Sequence, residues 1–265
     1  MLQRVATTIA YLHAHPDDEV ILTGGSMARA SDDGHRVVLV VATNGEHGEA
    51  PDDLTDGETI ADRRRRETER SAAILGVSHV LWLGYADSGM TGWDQNQQPD
   101  SFWQADVDDA GGRLAKLLAA EHADVLVTYD WHGGYGHPDH VQAHRVGHRA
   151  AALAGTTRVL EATFSRDMMR TLATAEGGEE WDPDRLADDG NPFGTPEIEI
   201  HYAVDVGDYV TRKRDALACH ASQTSDAGAM LAMPAEQFAS TFGTEWFIEP
   251  GRPPGLQRSW PFGST

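Results

Sequence analysis

Two nearly uninterrupted apolar runs constrain the fold more than anything else in this chain. Residues 37–42 read VVLVVA and residues 125–129 read VLVTY. Neither alternates apolar with polar, so neither suits a sheet with one wet face. Both suit strands buried on two sides. Further strands are predicted at 5–12, 80–83 and 158–163, and helical spacing fills the gaps at 19–31, 61–75, 107–121 and 140–154. Gly76 stops the second of these helices. Strands alternating with helices imply right-handed crossovers and an α/β fold, mostly parallel, with helices on both faces.

The pattern weakens after residue 163. Residues 171–196 are rich in glycine, proline and acid, and about 164–197 is expected to be a lid or insertion. Residues 197–206 alternate like a strand and 208–222 read as a helix. After Thr244, Trp246, Phe247, Trp260 and Phe262 lie among prolines, and this stretch is expected to pack across the body without regular structure. With 265 residues and 40% apolar content, one domain spanning 1–265 is expected.

Charge excludes some partners. With 42 acids against 21 bases, the net charge of -21 argues against nucleic acid and anionic membrane surfaces. No apolar run reaches membrane-spanning length. Arg4 is followed only by a short strand-like stretch, which does not read as a signal peptide. Cys219 is the single cysteine, so no internal disulfide can form. These features together predict a cytoplasmic protein. Oligomeric state is not legible in the pattern.

The chemistry concentrates in two clusters, AHPDDEV at 14–20 and GGYGHPDHV at 133–141. Each falls just after a predicted strand. In open parallel sheets ligands sit beyond the carboxyl ends of the strands, so topology alone brings the two clusters together. His15 and Asp18 are three apart across a strand end and a first helical turn, as are His137 and His140. Pro16 suits a first helical position. The helix dipole favours Asp17 and Asp18 as anions. One carboxylate, His15 and either His137 or His140 would make a three-ligand metal site, leaving a spare carboxylate and a spare histidine for proton transfer.

Other histidines carry less. His13 is expected to be packed inside the first strand. His140 with His144 is also a metal-pair spacing, but His144 and His148 are expected to be exposed or packing residues. His35, His47, His79 and His122 are expected at the surface or in turns. Thr23-Gly24-Gly25-Ser26 is the one glycine-rich candidate for a nucleotide-binding module. It lies inside a predicted helix, and close packing explains it better.

With AHPDDE near the start and HPDH in mid-chain, the sequence resembles the PIG-L/LmbE-like family of zinc-dependent N-acetylglucosaminyl deacetylases. The resemblance covers about residues 5–160, and Lys213 with Cys219-His220-Ala221-Ser222-Gln223 is similar to a further family helix. It implies a single Rossmann-like domain with the metal at the carboxyl ends of the strands. By implication His15, Asp18 and His140 would bind zinc, with iron(II) as the alternative. Asp17 would be the general base, His137 the acid or oxyanion partner, and Asp139 an orienting residue. Tyr135, in the longer GGYGHPDH form, resembles the mycothiol-pathway branch, where a tyrosine serves the oxyanion. Arg64, with Glu67 three later, matches a substrate-side RxxE helix; Glu49 and Asp87 match substrate contacts.

The resemblance implies a hydrolase that removes acetyl from an N-acetylglucosamine unit of a larger molecule. The substrate would be a mycothiol precursor or a glycosylated natural product such as a glycopeptide antibiotic intermediate. An inositol lipid fits the charge least. The alternatives are an amidase acting on a thiol conjugate and a non-catalytic sugar- or nucleotide-binding module. Phe164, Met168, Met169, Trp181 and Phe193 are expected either in lid and core or around a mouth for a bulky apolar group.

Overall fold

The structure is a computed structural model that describes residues 6–175, 186–187 and 189–263. In chain order the elements are β1 (Thr8–His13), α1 (Asp18–Asp32), β2 (Arg36–Thr43), α2 (Ile60–Leu75), β3 (His79–Tyr85), α3 (Val107–Glu121), β4 (Val125–Tyr129), α4 (Pro138–Ala154), β5 (Arg158–Thr163), α5 (Arg166–Ala175), β6 (Tyr202–Asp205), α6 (Val210–Leu217), α7 (Asp226–Ala232), α8 (Ala235–Phe242) and β7 (Thr244–Ile248). The sheet runs β3-β2-β1-β4-β5-β7-β6. Its first five strands are parallel, while β7 is antiparallel to both β5 and β6.

The two apolar runs form interior strands of this sheet, β4 at its centre. Six of the seven inner residues of β2 are essentially solvent-free hydrophobics, and every residue of β4 is buried. On one face α1 packs with α2 and α6; on the other α3 packs on α4. Local signals set the helix ends. Thr59 and Asp62 form a reciprocal capping box at the start of α2, and Gly76 closes it in the left-handed region at φ 77°.

Strand order reverses between β1 and β4, which are paired with Ile9 opposite Val125 and Tyr11 opposite Val127. Loops leaving the carboxyl ends of these neighbours turn to opposite faces and open a crevice between them. Both histidine clusters emerge into it.

Several expectations need correcting. The stretch after Thr244 is not irregular throughout: residues 244–248 form β7, inserted between β5 and β6. The predicted strand at 197–206 shortens to β6, preceded by a 3-10 turn at Glu197–Glu199. The segment at 164–197 begins with α5. Residues 176–185, Trp181 among them, and 188 lie outside the described residues, as does position 5 of the first predicted strand. Pro16 precedes α1 rather than opening it; the helix-opening proline is Pro138, with His137 as the cap of α4.

Of the two glycines in α1, Gly25 is explained by packing. A Cβ on Gly25 would stand 2.5 Å from Val206 Cβ, so α1 approaches the end of β6 as closely as its backbone allows. Among the described residues, no helix is long and apolar enough to cross a membrane.

Candidate metal centre and active site

The crevice brings His15, Asp17, Asp18, Asp87, Tyr135, His137, His140, Arg64 and Glu49 to the wall of one cavity of about 620 Å³. Asp139 is fully buried behind it. All ten residues singled out in the sequence therefore lie at or directly behind one site.

Asp18 is the hub. Its Oδ2 accepts the His15 backbone N–H at 2.8 Å and lies 3.2 Å from His15 Nδ1. It also lies 3.3 Å from His140 Nε2. His140 Nδ1 is fixed 3.0 Å from the Gly133 carbonyl, and its ring stacks on Tyr129 at 4.4 Å. That leaves His140 Nε2 buried with no hydrogen-bond partner. An orphaned buried imidazole nitrogen is costly unless something is coordinated there. A second ring nitrogen tied to a carbonyl is the usual support for a metal-binding histidine.

His15 is held in the same manner. Its Nε2 lies 3.1 Å from Asp139 Oδ2, which turns Nδ1 toward Asp18. Asp139 is itself fixed by the Ser88 N–H at 2.9 Å and by the Ser88 hydroxyl. Nearby imidazoles hold the Asp18 carboxyl well below its ordinary range despite burial, which by itself would raise it. The donor set of nitrogen and carboxylate oxygen fits a divalent transition metal. His137 also approaches, its ring 4.6 Å from His15 and 4.8 Å from His140, so His15, His137 and His140 form a second geometrically possible triplet. The Nδ1 of His137 already accepts the Asp139 N–H at 3.1 Å. Burial, reinforced by the two neighbouring imidazoles, pushes His137 well below its ordinary value and keeps it neutral.

Asp17 differs from its neighbour. It caps nothing with its side chain and occupies φ 94°, a left-handed conformation rare for a residue with a Cβ. Its N–H is held 2.8 Å from Glu19 Oε2, and its carboxylate lies 2.9 Å from Arg64. Burial pushes its carboxyl up to about 6; Arg64 opposes this and the Asp18 charge adds to it. The expectation that the dipole favours both carboxylates as anions thus holds strongly for Asp18 and is weakened by burial at Asp17, whose carboxyl at about 6 is still mostly anionic at neutral pH.

Arg64 is not part of a solvated face. It is 4% exposed and donates to the carbonyls of Gly45 and Pro16, each at 2.6 Å, as well as to Asp17. Glu67 points elsewhere, accepting the Ser222 N–H and hydroxyl. Asp87 Oδ1 lies 3.5 Å from His15 Nε2. The Glu49 carboxylate, at the rim, accepts the Ser225 N–H at 3.1 Å and groups of Thr224. Tyr135 stands edge-on to His140, ring centroids 5.0 Å apart, and stacks on Phe193 at 5.8 Å. His13 is packed as expected, its Nε2 2.8 Å from Thr23.

Sequence reasoning missed Glu19 and the role of His220. Glu19 is fully buried and joins Asp17, Ser71 and His220, the last at 2.8 Å. The available signal was the final acid of HPDDE and the CHASQ string. His144 and His148, expected to be exposed or packing residues, are partly exposed and both turn to Glu161.

A family model described as GlcNAc-PI de-N-acetylase matches residues 10–151, which carry both clusters. The chain belongs to this family. It is 40% identical over 243 residues to the 1D-myo-inositol 2-acetamido-2-deoxy-alpha-D-glucopyranoside deacetylase of Thermobifida fusca, covering 84% of this chain and 85% of that one. Among solved structures it is similar to the N,N'-diacetylchitobiose deacetylase of Pyrococcus horikoshii, with TM-score 0.58 and 25% identity over 92% of this chain and 84% of that one. A deacetylase–teicoplanin complex, 16% identical, shares the fold at TM-score 0.58 over 93% of this chain and 100% of that one.

Proposed function

We propose that this de-N-acetylase family member hydrolyses the acetamide of an N-acetylglucosaminyl inositol, releasing acetate and a free amine. The observation that carries the reading is the orphaned His140 Nε2 facing Asp18, beside a carboxyl poised near neutrality. A divalent cation held by His15, Asp18 and His140, zinc in this reading with iron(II) the alternative, supplies Lewis acidity toward the acetamide carbonyl and toward water.

The protein's own groups do the rest. Asp17, turned into the crevice by its backbone and steadied by Arg64 and Glu19, takes the proton of the attacking water. His137 accepts at Nδ1, so its neutral ring presents Nε2–H as a hydrogen-bond donor that steadies the oxyanion, while the proton that Asp17 took from water passes to the departing nitrogen. Tyr135 serves the oxyanion. Asp139 keeps His15 in its working tautomer. Arg64 meets the substrate through Asp17 rather than by a free guanidinium, and Glu49 and Asp87 flank the sugar. The single cysteine supports a reducing, cytoplasmic setting. One domain spanning 1–265, with 164–197 as its lid, is part of the same reading.

One observation favours a second reading, a bulkier thiol-conjugate or glycopeptide substrate. An apolar groove of about 380 Å³ adjoins the site, sharing Phe164 and Phe193 with it and adding Met168, Met169, Leu172 and Trp246. Acetate release by zinc-loaded protein separates the readings. The substrates are the N-acetylglucosaminyl inositol, free N-acetylglucosamine and an N-acetylglucosaminylated glycopeptide aglycone, each with and without chelator. Chelator-sensitive release from the inositol alone supports the main reading; release from the aglycone alone supports the second; release from none, with binding intact, returns the chain to a sugar-binding module.

A further inference from the structure

One turn beyond His140, α4 carries another histidine pair. His144 and His148 are four apart on one helix face with ring centroids 4.5 Å apart. Both approach Glu161 on β5, the strand beneath. His148 Nε2 lies 2.7 Å from Glu161 Oε1, and His144 Nδ1 lies 3.6 Å from the same atom. One ligand atom from each of the three residues falls within 4.8 Å of the other two.

We propose that His144, His148 and Glu161 form a second divalent transition-metal site, distinct from the catalytic centre. The first argument is charge. Glu161 is 7% exposed, and among the described residues no lysine or arginine makes an ion pair with it. A buried carboxylate needs a positive partner. A divalent cation held between Glu161 and the two imidazoles supplies that charge.

The second argument is preorganisation. His144 Nδ1 lies 3.1 Å from the Tyr129 carbonyl, which fixes the ring beside Glu161. Two imidazoles four apart on a helix converge on one ion, and the carboxylate comes from rigid sheet. The third argument is access. The His144 and His148 side chains are 21% and 34% exposed, so water can complete the coordination and the ion can enter. Two nitrogens and one carboxylate oxygen select zinc, cobalt, nickel or iron(II) over magnesium and calcium. The bound ion ties α4 to β5 one turn behind His140, and Tyr129, whose carbonyl holds His144, stacks on the His140 ring.

The test is metal stoichiometry in the full chain. Protein stripped by chelator is dialysed against Co2+, or separately Zn2+, and bound metal is counted for wild type, His148→Ala, Glu161→Gln and His140→Ala. The expected result is one equivalent fewer in His148→Ala and in Glu161→Gln than in wild type, with acetate release retained. His140→Ala keeps the equivalent that those variants lose. Equal stoichiometry in wild type and His148→Ala overturns the proposal and leaves an ordinary imidazole–carboxylate ion pair. His148 is partly exposed, so its truncation tests the site even if the buried Glu161→Gln variant fails to fold.

Discussion

From β1 to β5 the chain is built on parallel strands covered on both faces; from α5 onward it is built on short helices and two antiparallel strands. The first region holds the cluster of His15, Asp17, Asp18, His137 and His140. The second region holds that cluster in place without joining it. His220 meets Glu19, which positions Asp17. Ser222 meets Glu67 on α2. Lys213 lies 2.8 Å from Glu245, whose carboxylate also accepts the N–H groups of Gly25 and Ser26 in α1, both ion-pair partners being almost fully buried. The difference teaches a division of labour: chemistry resides in the parallel half, and the far half contributes stability, alignment and the apolar wall.

That division is breakable by substitution. Asp17→Asn removes the proposed general base and should cut kcat on the order of 10²–10⁴-fold with metal content unchanged, read by acetate release and metal analysis. Lys213→Met, in the far half, strands Glu245 in the interior. It should cost about 3–5 kcal/mol in urea unfolding, while kcat per folded molecule stays near wild type. A large loss of kcat at permissive temperature would blur the division. Gly25→Ala forces a methyl onto Val206 across the seam between the halves and should cost about 1–3 kcal/mol in the same assay.

The smallest effect sharpens the role of Asp17. The base works only when deprotonated, and its carboxyl stands at about 6. As pH falls through that value the base is neutralised, so kcat/KM should drop about tenfold per pH unit on the acid side. A bound cation favours the anion and moves this limb below 6, never above it. An acid limb clearly above pH 6 would contradict Asp17 as the base.

The two halves also differ in legibility. β2 and β4 are continuous hydrophobic runs because both their faces are buried, and burial of that kind is written residue by residue. The cluster was legible for a related reason: its ligands sit in short local strings at strand ends. β7 was not, because TEWFI alternates a buried acid with aromatics and follows short helices, so its pairing with β5 and β6 depends on partners far away in sequence. The roles of Glu19 and Arg64 were hidden likewise. Glu19 meets His220 across 201 residues, and Arg64 sits in a run of four arginines of which composition marks none as buried. The Asp17 backbone at φ 94° leaves no trace in residue type at all.

The central claim is that His15, Asp18 and His140 hold the metal on which acetamide hydrolysis depends. The most direct measurement is acetate release from the N-acetylglucosaminyl inositol by protein stripped of metal and then titrated with Zn2+, in wild type and His140→Ala. The account predicts no release from stripped protein, recovery on zinc addition in wild type, and no recovery in His140→Ala. Full turnover by protein shown to be metal-free, or full recovery in His140→Ala, would contradict it.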